Sequence, residues 1–196
     1  MTRPVESPPS PTTGSRGRLL FVNRFYWPDE PATAQLLTDL AEGLAARGWS
    51  VQVVTSHAGT PGLPRREQRH GVTIYRVRGP RWGRRHLGGR MVDFAAFLCG
   101  AVWRCLRELR RGDTLIAKTD PPFLGVWLWA GARLRRAHLL HCVHDVYPEI
   151  ATELAPSRVL RGGARLTRGL RNFTWRHSAG CVALGEDMAD WIARQG

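Results

Sequence analysis

The sequence predicts an α/β protein built on an open, mainly parallel sheet with helices on both faces. Short apolar runs alternate with segments of helical periodicity from residue 18 onward, the pattern of a doubly wound sheet. The segments between successive runs are long enough for the right-handed crossovers that parallel pairing demands. No internal repeat or heptad run breaks the alternation.

The elements follow in order. "RLLFVNRF" (18–25) is an apolar run suited to a central strand. In "ATAQLLTDLAEGLAARG", Leu36, Leu37, Leu40, Ala41, Leu44 and Ala45 recur at helical spacing and Gly48 supplies the stop. "WSVQVVTS" is a second strand, and "HAGTPGLPRREQRHG" (57–71), rich in turn formers and charge, reads as an exposed loop. "VTIYRVRG" alternates only partly like a strand, and "PRWGRRHLGGR" is a basic, glycine-rich loop before a long apolar helix over 91–110. "DTLIAKT" is a strand, and "DPPFLGVWLWAGARLRR" is a prolyl turn entering a helix, because proline suits a first helical turn and fails inside one. "AHLLHCVHD" is a strand, "YPEIATEL" a short helix and "SRVLRGGARLTRGLRNFTWRHS" a longer, poorly amphipathic helix. "AGCVALG" and "EDMADWIARQG" close the chain as strand and helix.

With 196 residues and 43% hydrophobic content the chain can bury one sizeable core. Residues 1–17, rich in proline, serine and threonine, read as a disordered leader without the apolar run of a secretory signal, and residues 18–196 as one domain. A formal charge of +13 invites a polyanionic partner, phosphate-rich or a lipid surface. Lys118 is the only lysine, so this basic surface is otherwise arginine. Nucleic-acid binding would rest on charge alone, since no basic-aromatic recognition motif or zinc spacing accompanies it. Cys99, Cys105, Cys142 and Cys181 lie far apart, which indicates neither a zinc site nor a disulfide framework and fits a reducing, cytoplasmic compartment. "MVDFAAFLCGAVWRCL" comes nearest to a membrane span but is interrupted by Asp93 and Arg104.

In such a sheet, ligands bind where the strands end. Three segments should meet there: 23–35 after the first strand, 119–122 after the strand "DTLIAKT" and 144–149 after "AHLLHCVHD". The first contains no glycine, and no G-x-G-x-x-G, P-loop or G-x-S-x-G elbow occurs in the expected context. His138, His141 and His144 look like a metal box, but alternation along a strand turns His141 away from the other two. "HDVYPE" sets an imidazole and two carboxylates, His144, Asp145 and Glu149, at the crevice mouth; Glu149 also suits the first turn of a helix and Asp145 a loop tie.

"FYWPDEPATAQLLTDLAEGLAARGWSVQVVTS", "TDPPFLG", "HDVYPEIA" and "VALGEDMADWIARQG", in this order and spacing, resemble the amino-terminal domain of glycosyltransferase family 4, over about residues 18–196. The family's enzymes are retaining and of the GT-B fold, and the likeness is greatest to those building bacterial surface polysaccharides. The resemblance implies a Rossmann-like, acceptor-side half. The donor-binding carboxyl-terminal half, with the family's diphosphate-binding basic residues, is not in this sequence, so the chain alone is expected to be inactive. It also implies a nucleotide-sugar as donor substrate, a glycan or lipid-linked acceptor, and no metal or other cofactor.

By the same resemblance, His144 takes a hydrogen-bonding or electrostatic role beside the sugar and Asp145 orients it or the acceptor. Phe25, Thr33, Gln35, Asp120 and Glu149 shape the acceptor side. Pro31, Ala32 and Thr33 stand where many relatives carry glycines, which fits a loop that leaves the donor phosphates to the opposite half. Lipid-linked acceptors would give the basic surface a use: Arg81, Arg84, Arg85 and Arg90, beside the helix carrying Phe94, Phe97 and Trp103, are expected to dock peripherally on the inner face of the cell membrane. The alternative is a non-catalytic, acceptor-recruiting membrane subunit of a split transferase.

Overall fold

The computed structural model describes residues 17–57, 62–80, 87–119, 123–144 and 158–195. Seven strands form one sheet in the order β3-β4-β2-β1-β5-β6-β7. They are β1 (Arg18–Val22), β2 (Ser50–Ser56), β3 (Arg66–Arg69), β4 (Val72–Val77), β5 (Thr114–Lys118), β6 (His138–Val143) and β7 (Gly180–Ala183). All pairings are parallel except β3 with β4. The helices are α1 (Ala32–Ala46), α2 (Leu87–Glu108), α3 (Leu124–Arg135), α4 (Arg158–Arg176) and α5 (Glu186–Gln195). This is the predicted Rossmann-like architecture.

Alternation along the strands sorts the core into two layers. Phe21, Val53, Ile74 and Ile116 pack under Leu37 and Ala41 of α1. Leu20, Val54, Leu115 and Leu139 face the other way, under Phe97, Ala101 and Cys105 of α2 and Leu124, Leu128 and Ala132 of α3. The 0, +4, +8 spacing of the α2 trio lays one stripe along the sheet. Farther along the second face, Val143 meets Trp175 of α4 and Ile192 of α5.

Four local expectations are corrected. The segment expected to be a loop contains β3, whose residues alternate between exposed and half-buried. Its Arg-Glu-Gln-Arg sequence lacks the apolar signal of a strand because β3 is an edge, where charge blocks pairing with another chain. The two-residue turn into β4 has positive φ at His70 (44°) and Gly71 (79°), the hairpin geometry that matches strand twist. The helix expected over 91–110 begins at Leu87 and ends at Glu108, taking in Gly88 and Gly89 despite their weak helical propensity. On α1, Leu36 and Leu40 are exposed and only part of the expected stripe is buried. In α4 the usual polarity is reversed: Arg171, Thr174 and Trp175 are buried while Leu166, Leu170 and Phe173 face outward. The helix therefore has two distinct faces, which corrects the expectation that it is poorly amphipathic. The expected short helix over 147–154 lies outside the described residues.

Candidate functional site

β1, β5 and β6 are adjacent and parallel, with Val22 opposite Ala117 and Lys118 opposite Cys142. Their carboxyl ends therefore open on one edge, as the sequence demanded of a shared cleft. The 23–31 loop is pinned over this edge from several sides. The Asn23 and Ser56 N–H groups donate to the Val54 and Arg24 carbonyls, and Thr55 Oγ1 donates to Arg24 O at 3.0 Å. The buried Arg76 donates to Trp27 O at 3.1 Å and is held by Glu67 at 2.6 Å. The Trp27–Pro28 peptide is cis. No residue from Asn23 to Pro31 has a positive φ, so the turn has no need of glycine.

A row of polar side chains stands at the strands' carboxyl ends on the α1 face, one of them, Lys118, also lining the cavity of the opposite face. Asn23 follows β1 and is fully buried, and its Nδ2 donates to Phe25 O at 2.7 Å. Asn23 Oδ1 has no partner. Lys118, one step along β5, is 5% exposed, and burial lowers its proton affinity against a small opposing effect of Cys142. Cys142 Sγ lies 3.4 Å from His144 Nε2, and burial raises the thiol's pKa. The His144 N–H donates to Thr119 Oγ1 at 3.2 Å, tying the β6 end to the β5 end.

The opposite face holds a cavity of about 40 Å³ between the start of α3 and α4, lined among others by Thr119, Gly125, His141, Arg171 and Thr174. His141 is 6% exposed and its Nε2 has no partner; burial depresses its pKa to about 4. Gly125 is required here, because a β-carbon would drive into the imidazole. Arg171 stacks on Trp175 and Trp191, at 4.5 and 5.3 Å from the ring centres.

Of the residues singled out in the sequence, Asp120, Asp145 and Glu149, together with Arg81, Arg84 and Arg85, lie outside the described residues. His144 stands at the carboxyl edge, half-buried. Phe25 is half-buried beneath the Arg24 guanidinium, 5.3 Å from its ring centre. Thr33 is half-buried in the first turn of α1, and Gln35 is exposed with its amide donating to Glu30 O at 2.8 Å. The sequence reading placed Asn23 at the start of the first cleft segment but missed Lys118 and Cys142. The single lysine of an arginine-rich chain was the available signal for Lys118; strand register, which no spacing reveals, supplies the rest. Among the described residues, no three metal-ligating side chains gather.

On α2 the expected docking trio is divided. Phe97 is buried in the core and unavailable, Phe94 lies under Arg24 at 4.5 Å, and Trp103 is 62% exposed. Trp103 joins Ala95, Leu98, Cys99, Val102, Leu106 and Trp127 of α3 around an apolar groove of about 490 Å³. Arg90 is exposed near the start of α2. No described helix is long and apolar enough to cross a membrane.

A parallel, doubly wound sheet with a polar carboxyl edge defines a class of ligand-binding α/β domains. Within that class the chain belongs to the glycosyl transferase 4-like domain family, whose model matches residues 33–196. Among solved structures it is similar to a sucrose-phosphate synthase from Thermosynechococcus elongatus, with 13% identity and a TM-score of 0.64 over 91% of this chain and 45% of that one. It is also similar to the catalytic domain of starch synthase IV from Arabidopsis thaliana, bound to ADP and acarbose, with 11% identity and a TM-score of 0.50 over 67% of this chain and 34% of that one. The chain thus spans less than half the length of either structure. A search of curated sequences returned no match.

Proposed function

We propose that this chain is the acceptor-side half of a retaining glycosyltransferase that moves a sugar from a nucleotide-sugar to a glycan or lipid-linked acceptor, of the kind that builds bacterial surface polysaccharides. The observation that carries the reading is the shared carboxyl edge of β1, β5 and β6, with His144 at its rim, in a chain of this family. A retaining transfer of this type needs no protein nucleophile: the nucleotide leaves and the acceptor hydroxyl arrives on the same face of the sugar. The protein then acts by positioning groups and by stabilising developing charge. His144 serves as the positioned imidazole, steadied by Thr119 and Cys142; Asp145 orients it or the acceptor, and Phe25, Thr33, Gln35, Asp120 and Glu149 form the acceptor side. The reaction calls on no metal or other cofactor.

The test is a transfer assay on the complete protein with a panel of nucleotide-sugars, followed by His144→Ala. Loss of a positioned polar group at a reacting centre is expected to lower turnover about 100-fold. Near wild-type turnover in that variant would remove the assigned role.

A second reading, acceptor recruitment at the cytoplasmic membrane face by a subunit that does no chemistry itself, is favoured by the exposed Trp103–Trp127 groove on a chain of net charge +13. Amphipathic tryptophan suits the headgroup boundary, and arginines, with Arg81, Arg84, Arg85 and Arg90 proposed foremost, attract anionic lipid. Vesicles containing anionic lipid should co-sediment the chain at low salt and release it at high salt. No binding at low salt ends the docking idea.

A further inference from the structure

We propose that Lys118 and Asn23 form a phosphate-binding subsite on the floor of the cleft, taking the diphosphate of a substrate. The inference rests on the transferase reading for the identity of the substrate, but not for the binding itself. Lys118 is the chain's only lysine, set in a sequence that otherwise uses arginine for positive charge. It is 5% exposed at the carboxyl end of β5. Among the described residues no ion pair involves it. A lysine set this deep without a counter-ion costs stability, and perturbed charges of this kind gather at functional sites.

Asn23 adds an independent observation. Register puts Val22 opposite Ala117, so Asn23 and Lys118 are the next positions on neighbouring strands. Asn23 has no exposed surface, its Nδ2 is committed to the Phe25 carbonyl, and its Oδ1 accepts no hydrogen bond. A cation and an amide oxygen thus occupy neighbouring strand positions, and among the described residues Lys118 has no ion pair and Asn23 Oδ1 no hydrogen bond. They suit a ligand that offers an anionic oxygen to the ammonium and a hydroxyl to the amide oxygen. A phosphorylated sugar or a partly protonated diphosphate meets both demands, and a lysine ammonium is a common point-charge partner for phosphate. Both substrates of the proposed transfer, the nucleotide-sugar and a lipid-linked acceptor, carry a diphosphate.

A single lysine makes the test direct. Uniform [13C]lysine labelling of the 196-residue chain gives one set of side-chain Cε signals. Inorganic pyrophosphate is expected to shift that signal saturably at constant ionic strength and to move its pH titration upward. In calorimetry, Lys118→Met should weaken pyrophosphate binding at least about tenfold, the loss of one charge-assisted hydrogen bond. The same variant should melt about 2 °C or more above the wild type, because an unpaired buried charge has gone. Asn23→Ala should weaken binding to a smaller extent. Titrations with a nucleoside diphosphate and with geranyl diphosphate separate the sources: the ligand that saturates at lower concentration identifies the donor or the acceptor. An unmoved lysine signal, or pyrophosphate binding by Lys118→Met as tight as that of the wild type, overturns the subsite. Pyrophosphate binding without sugar transfer in the complete protein would leave the subsite standing and remove the transferase reading instead.

Discussion

The two ends of the sheet treat buried polar groups in opposite ways. At the amino-terminal edge, Arg18 at the start of β1 donates to Asp113 Oδ2 at 3.0 Å and to Glu108 O at 3.1 Å. Asp113 in turn accepts from the Arg110 N–H at 2.8 Å, so this end is satisfied internally. At the carboxyl edge, Asn23 Oδ1 and His141 Nε2 have no partners, and Lys118 sits buried without an ion pair among the described residues. Incomplete satisfaction of buried polar groups is uncommon in native proteins. Its concentration at the end where this architecture binds ligands separates an edge built to hold the fold from an edge that something else must complete.

The largest effect that tests this contrast is acidification. His141 binds a proton near pH 6.5 when unfolded but only near pH 4 when folded, so the unfolded state holds more protons between these values. Stability present above pH 6.5 is lost as pH falls to about 4, by about 3 kcal/mol. His141→Leu should flatten that limb in urea titrations at a series of pH values; an unchanged limb would assign the acid loss elsewhere. Next comes Asp113→Ala, which strands the Arg18 guanidinium and the Arg110 amide together. It should cost about 2 kcal/mol in urea unfolding at pH 7, and a loss below about 0.5 kcal/mol would deny that the amino-terminal edge is held by this pair. Gly125→Ala follows at about 1–2 kcal/mol from crowding of the imidazole, and the double variant Gly125→Ala/His141→Ala should recover part of that loss. Strict additivity would separate the two residues.

The smallest change, and the one of opposite sign, belongs to Lys118. Burial lowers its folded proton affinity, so stability should rise with pH from the folded value up to the ordinary lysine value of 10.5. Lys118→Met should gain about 1 kcal/mol near neutral pH and lose that slope. A destabilised Lys118→Met would make the lysine a structural residue and erase the contrast between the edges.

The sequence by itself determined the fold class and most of the element order. The central strands are apolar runs closed by turn formers, and α1 declares itself by periodicity; both are local properties that burial only strengthens. It also set the edge on which the candidate cleft lies, because parallel crossovers bring successive strand ends to one side, and it singled out His144 at the end of its strand. Tertiary structure decided the remainder. β3 is an edge whose polarity conceals it, and α4 buries its own Arg171 and Thr174 beside Trp175, which packs on Val143 and Ile192. Asn23, Lys118 and Cys142 become neighbours only through register, which joins residues 95 and 24 positions apart in the chain. Spacing along a chain encodes which face of an element a side chain takes; which strand stands beside it is settled only when the sheet is assembled.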